Sequence, residues 1–133
     1  NARMPVMKMA KTLNLDPKVI AYRMKKLEKD SIIMRYVTSP NFAKLGLQFF
    51  QINLSLKDPK SKKSIIDFFA KTKSCLFAIE LLGKYDLLVE IHLPSHQELH
   101  TIMGSFKEQF ASRYNDYDIL TITKEYLMVW NPF

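Results

Sequence analysis

At 133 residues, with 47% hydrophobic and 12% aromatic content, the chain can build packed cores in one ordinary domain or two small ones, which excludes a disordered polymer. No apolar run approaches the roughly 20 residues needed to cross a bilayer, and no charged segment followed by an apolar one marks a secretory leader, so a soluble cytoplasmic protein is expected. The net charge of +7 is unevenly placed: residues 1–46 hold ten Lys/Arg against three acids, whereas residues 47–133 balance ten against ten. A basic module joined to a neutral one is the pattern of a polyanion-binding headpiece on a separate body. A solvated basic face with no partner is the plainer alternative.

In the basic part, Val6, Met7, Met9, Ala10 and Leu13 have helical spacing and leave Lys8 and Lys11 outward, predicting a short helix over 6–13. Asn14 and Leu15 break it. Asp16 followed by Pro17 supplies an N-cap and a first-turn proline, so a second helix should run from 17 to 29. Its inward positions are Ile20, Met24 and Leu27, while Lys18, Val19, Tyr22, Lys25, Lys26 and Lys29 point outward. Ile32 to Thr38 is weakly alternating and β-branched, predicting a strand in or beside a wing; a connector with Pro40 and Gly46 follows. Two short helices across a tight turn, the second basic and bearing an exposed tyrosine, form a helix-turn-helix whose second helix enters the major groove. The candidate DNA-binding residues are Lys18, Tyr22, Arg23, Lys25 and Lys26, with Arg35 on the wing. An ordinary helical hairpin is the alternative, and the concentration of charge in this segment argues against it.

From residue 47 the period changes. Phe50, Ile52, Leu54 and Leu56 alternate with Gln51, Asn53, Ser55 and Lys57, a half-buried strand. Asp58 and Pro59 then cap a helix with the apolar face Ile65, Ile66, Phe68 and Phe69. Residues 75–82 make an almost continuously apolar strand, Gly83 and Lys84 turn the chain, and Tyr85 to Leu93 alternates as the second arm of a hairpin. Ser95 and Glu98 form a capping box for a helix to about residue 112, with Leu99, Ile102, Met103, Phe106 and Phe110 inward. A last strand is expected from Tyr117 to about Trp130. The expected fold class is therefore α+β: a winged helix-turn-helix over 1–46, then a ferredoxin-like β-α-β-β-α-β domain over 47–133 with both helices on one face of an antiparallel sheet. Because strand 75–82 is apolar on both sides, the other face is expected to be covered by a second copy of the chain.

Other features point away from catalysis. Cys75 lies in an apolar stretch with no histidine near it in sequence, so it is expected to pack as a small hydrophobe. His96 and His100 have the i, i+4 spacing of a zinc pair, but glutamate does not directly follow the first histidine as a metalloprotease motif requires, and no third Cys/His ligand is suitably spaced. The run Lys60, Ser61, Lys62, Lys63 fits a solvated helix start. With three glycines in all and no phosphate-cradling loop, no cofactor, metal or catalytic residue is expected.

The chain resembles the Lrp/AsnC, or feast/famine, regulators over nearly its whole length. The resemblance rests on Asn1-Ala2-Arg3, on Met9-Ala10-x-x-Leu13-x-Leu15-Asp16, and on Ile20-x-x-Arg23-Met24-x-x-Leu27-Glu28-x-x-x-Ile32-Ile33, similar to the family's recognition-helix signature with Ser31 where glycine is usual. In the second part it rests on Gly83-Lys84-Tyr85-Asp86-Leu87-Leu88, similar to the family's turn between the second and third strands. The resemblance implies a double-stranded DNA-binding transcription regulator that forms homodimers and often octamers. It also implies an amino acid or related effector beside the turn, with Gly83, Tyr85 and Asp86 as candidate effector-binding residues. Glycine would let a ligand approach backbone N–H groups, and Asp86 would hold its ammonium; a plain β-turn is the alternative. The family's three-helix core has its first helix before the position of Arg3, where this chain has no residues, so that helix is expected to be missing from the headpiece. Two other functions fit the architecture: a sirohaem-decarboxylase-like enzyme, and a ligand-binding or oligomerisation module that no longer contacts DNA.

Overall fold

The computed structural model describes residues 3–38 and 40–126. The chain divides into two compact units, Asn1–Pro40 and Asn41–Phe133. Among the described residues no helix is long and apolar enough to cross a membrane.

The first unit holds α1 (Val6–Leu13) and α2 (Pro17–Lys29), with the boundaries the spacing predicts. Asn14 stops α1 by adopting the left-handed conformation (φ 51°), which lets the Leu15 amide donate to the Ala10 carbonyl at 3.0 Å. Asp16 then caps α2, accepting the Lys18 amide at 2.7 Å ahead of Pro17. Of the inward positions only Ala10 and Ile20 are fully buried; Leu27, Leu13 and Met7 are 37%, 59% and 69% exposed. Two helices alone have more apolar surface than they can hide against each other.

The end of α2 explains the glycine position of the resemblance. Ser31 sits in the left-handed region at φ 57°, its amide donating to Glu28 and that of Ile32 to Leu27, a Schellman motif built on a residue with a Cβ. The expected wing strand over 32–38 does not form. A strand is held by its ladder, and no strand among the described residues of this unit pairs with it, so Ile32, Met34 and Val37 stay exposed. The segment is tied to α2 by the Ile32 and Ile33 amides on the Leu27 carbonyl and by the Tyr36 hydroxyl, which donates to Glu28 at 2.8 Å.

The second unit runs β1 (Gln48–Leu56), α3 (Lys62–Lys71), β2 (Cys75–Glu80), β3 (Leu87–Leu93), α4 (His96–Phe110) and β4 (Tyr114–Ile122). The sheet order is β2-β3-β1-β4 with every neighbouring pair antiparallel, the ferredoxin-like arrangement expected. Phe50, Ile52 and Leu54 of β1 and Leu87, Val89 and Ile91 of β3 are fully buried with Ile65 and Phe69 of α3 and Phe106 of α4. The Phe69, Phe106 and Phe110 rings run in series at 5.3 Å. Removing such side chains from water, at about 1.5–3 kcal/mol each, fixes the register, because a one-residue slip would turn them all to solvent.

Four strand boundaries differ from expectation. The strand expected over 75–82 ends at Glu80 and the one expected from Tyr85 begins at Leu87, because 81–86 form a loop closed by the Leu81 amide on the Asp86 carbonyl at 2.9 Å. β4 begins at Tyr114 rather than Tyr117, since a register shift at Ser55/Leu56 extends its pairing with β1 past the simple alternation. It ends at Ile122; the expected continuation toward Trp130 lies, from 127, outside the described residues.

The face opposite the helices is mixed. Phe49, Gln51 and Asn53 of β1, Leu88, Glu90 and His92 of β3, Phe77 and Ile79 of β2, and Asp118 and Leu120 of β4 share it by register. Phe77, Ile79 and Leu120 are 37%, 44% and 47% exposed.

Candidate DNA-binding face and effector turn

On α2 the basic residues fall where helical geometry sends them. Lys18, Tyr22, Lys25 and Lys29 lie at i, i+4, i+7 and i+11, one row, with Lys26 beside it, and the buried Ile20 lies on the other side of the helix. Lys18, Tyr22, Arg23, Lys25 and Lys26 are all exposed, as is Arg35 in the segment after the helix. Arg23 stands at the margin of the row. Lys29 belongs to it and was not among the sequence candidates, although its spacing from Lys25 and Lys18 carries the signal. Lys26 and Lys29 also lie in the last turn, where the helix dipole favours cations. The row is a strip of ammonium groups around one aromatic hydroxyl, able to neutralise phosphates along a groove.

In the second unit the turn between β2 and β3 is built by hydrogen bonds to distant strands. Gly83 has φ 152°, a backbone setting that favours glycine, and nothing lies within 4 Å of where a Cβ would stand. Asp86 is the anchor. Its amide donates to the Leu54 carbonyl at 2.9 Å, its carbonyl accepts Leu81, and its carboxylate Oδ2 accepts the Leu56 amide at 2.7 Å. The carboxylate thus satisfies a backbone donor at the end of β1, a structural duty the sequence candidates did not include.

Tyr85 leaves the turn in another direction. Its hydroxyl donates to Asp118 Oδ2 on β4, and the Lys84 ammonium lies 4.7 Å from the Tyr85 ring centroid and 3.9 Å from the same carboxylate. Tyr85, and more weakly Asp118 and Asp116, hold the Lys84 ammonium above its ordinary value. The structure therefore brings Gly83, Tyr85 and Asp86 together with Lys84 and Asp118. No local pattern marks Asp118, which is 33 residues from Tyr85.

The remaining residues of chemical interest are occupied. Cys75 packs half-buried against the core, and burial pushes its thiol up, away from reactivity. His96 meets the Phe50 ring edge-on at 5.0 Å and Thr121 Oγ1 at 3.3 Å, and no cluster of three metal-ligating side chains occurs among the described residues. Ser61 is buried and donates to Asp58, and Lys62 pairs with Glu80 across to β2.

No family model matches the chain. Among curated proteins it is 27% identical over 106 residues to an HTH-type transcriptional regulator of Pyrococcus abyssi, covering 77% of this chain and 71% of the relative. It is 23% identical over 126 residues to a second HTH-type regulator of that organism, covering 94% and 86%. Among solved structures, AsnC of Escherichia coli superposes with TM-score 0.78 at 21% identity, covering 97% of this chain and 87% of that one. A Neisseria meningitidis transcriptional regulator in complex with L-methionine superposes with TM-score 0.83 at 18% identity, covering 98% and 85%. The fold is that of the Lrp/AsnC regulators.

Proposed function

Proceeding from that fold, we propose that this chain is a DNA-binding transcription regulator of the Lrp/AsnC type that responds to an amino-acid effector. The observation that carries the reading is the basic row on α2: residues 1–40, the unit with the helix-turn-helix geometry, hold nine Lys/Arg against three acids, +6 of the chain's net +7, while residues 41–133 hold eleven against ten. Lys18, Tyr22, Arg23, Lys25, Lys26 and Lys29 contact the duplex, with Arg35 following. The names of the curated relatives and the fold of the solved ones support the same reading.

The effector is proposed to sit beside the Gly83–Asp86 turn. Open space over Gly83 exposes backbone to a small ligand, and the second carboxylate oxygen of Asp86 is left for an ammonium group. L-methionine, present in the Neisseria structure and in a feast/famine regulatory protein of Mycobacterium tuberculosis, is the first probe. The mixed sheet face supports pairing with a second copy, since exposed Phe77, Ile79 and Leu120 beside Phe49 and Leu88 make an apolar patch that water does not favour. Further packing of such dimers, up to the octamer, follows from the resemblance alone.

The test is a DNA titration across salt concentrations. Lys26→Ala is expected to weaken binding to all sequences alike and to reduce the slope of log affinity against log salt by about one unit. An unchanged slope removes Lys26 from the phosphate contacts, and absence of binding at low salt in the parent chain refutes the DNA-binding reading.

A further inference from the structure

His92 occupies an unusual place on the uncovered sheet face. Its imidazole is sandwiched between two phenylalanines, Phe42 with ring centroids 4.1 Å apart and Phe49 stacked at 4.7 Å with a 15° interplanar angle. Phe49 is its direct cross-strand neighbour, so the sandwich follows from the β1–β3 register and the 3-10 turn Ala43–Leu45 just after Phe42. The ring's Nδ1 is buried without a hydrogen-bond partner. Neutral imidazole tolerates this, because one of its nitrogens is an acceptor whose loss is modest, whereas imidazolium needs partners for two N–H donors.

We propose that His92 links self-association to protons: the sheet faces of two copies pair when His92 is neutral and part when acid charges it. The inference rests on the reading that this face is covered by a second copy. Apolar covering removes water from the His92 edge and raises the cost of charging it, so the paired form binds protons less readily than the free chain. The free chain already shows the direction, since burial lowers the His92 proton affinity from its ordinary value of 6.5. Sign follows from linkage. If the free chain takes up protons that the pair excludes, the dissociation constant rises as pH falls through the His92 range and is flat above it.

The charged groups around His92 set the opposition. On its own strand Glu90 is held above the usual carboxylate range by burial and by Glu125, so acid neutralises it and makes that part of the face easier to cover. Glu125, beyond β4, stabilises the charged imidazole weakly. Lys44 follows Phe42 by two residues and Lys124, over the Tyr126 ring, precedes Glu125, and Cys75 of β2, its thiol pushed up by burial, is neutral throughout. His92 prevails in this contest because its charged form would hold a buried Nδ1–H without a hydrogen-bond partner, whereas among the described residues no buried, unpartnered oxygen occurs on Glu90.

Sedimentation equilibrium of the full chain from about pH 8 to about pH 5.5 tests this across the range in which histidine titrates. The dissociation constant should rise roughly tenfold or more on acidification, with two protons taken up per pair, and the rise should be lost in His92→Gln and kept or enlarged in Glu90→Gln. A dimer indifferent to pH, or one in which His92→Gln loosens as steeply as the parent, overturns the proton link and leaves the pairing intact. A monomer at about pH 8 overturns the pairing and the link together. If His92→Gln fails to fold, the parent decides: its His92 titration, followed by NMR, should move to lower pH as protein concentration rises, and a concentration-independent midpoint refutes the proposal.

Discussion

Asp86 was expected from sequence to meet a ligand, and in the structure it also joins β1 to the turn, so its substitution separates two roles. Its Oδ2 accepts the Leu56 amide at 2.7 Å, and Leu56 is a core residue at 8% exposure. Asp86→Ala leaves that amide without its acceptor and deletes a charge-assisted bond, at a cost of about 2–3 kcal/mol in unfolding free energy. Asp86→Asn keeps a carbonyl oxygen at the same reach and loses the charge, at about 0.5–1.5 kcal/mol. For a domain of this size each kcal/mol lowers the midpoint by roughly 4–8 °C. Urea and thermal unfolding followed by circular dichroism measure the stability, and calorimetry with L-methionine measures the site. In Asp86→Asn the affinity should fall by a further 1.5 to 3 kcal/mol, roughly, if the carboxylate holds the ligand's ammonium. An alanine variant within about 0.5 kcal/mol of the parent refutes the structural role. A folded Asn variant with undiminished affinity refutes the ligand role.

Two further outcomes are expected. Ser31→Gly should raise the melting midpoint of the helical signal of the first unit, gaining about 0.5 to 1 kcal/mol by removing a Cβ from a left-handed position; a lower midpoint would show that Ser31 is not strained. Glu90→Gln should stabilise the second unit at neutral pH, because a carboxyl whose proton affinity is raised by burial favours the unfolded state once ionised. The gain should vanish as pH falls below the ordinary carboxylate value, and chemical denaturation at the two ends of that range checks it.

The elements set by local chemistry could be read directly. Asp16-Pro17 and Ser95 start their helices by caps that need no tertiary partner, and the alternation of Phe50, Ile52 and Leu54 states which side of β1 is inside. What failed was what depends on a partner elsewhere in the chain. The 32–38 segment has strand composition but no ladder, and the start of β4 moved to Tyr114 because a bulge opposite Leu56 admits residues that alternation alone leaves out. The site divides the same way. Helical spacing places Lys18, Tyr22 and Lys25 on one row from sequence with Lys26 beside it, but the partners of Tyr85 and Asp86 lie 33 and 30 residues away and are legible only after the strands are paired.

The turn has one consequence for how a ligand signal travels. Asp86 clamps the end of β1 through Leu54 and Leu56, and Tyr85 and Lys84 reach β4 through Asp118, so the turn grips both strands on the far side of β3. A ligand that displaces the Leu56 amide from Asp86, or Lys84 from Asp118, would draw on bonds that tie the turn to β1 and β4, whereas a ligand bound only by the backbone around Gly83 would not. Of the residues on the mixed sheet face, Asp118 is the one bonded to the turn, so a ligand of the first kind would reach that face through Asp118, and one of the second kind would leave that link untouched. An effector that shifts self-association should therefore be one whose affinity falls in both Asp86→Asn and Lys84→Ala, and an effector insensitive to both substitutions has no route through this turn to the pairing surface.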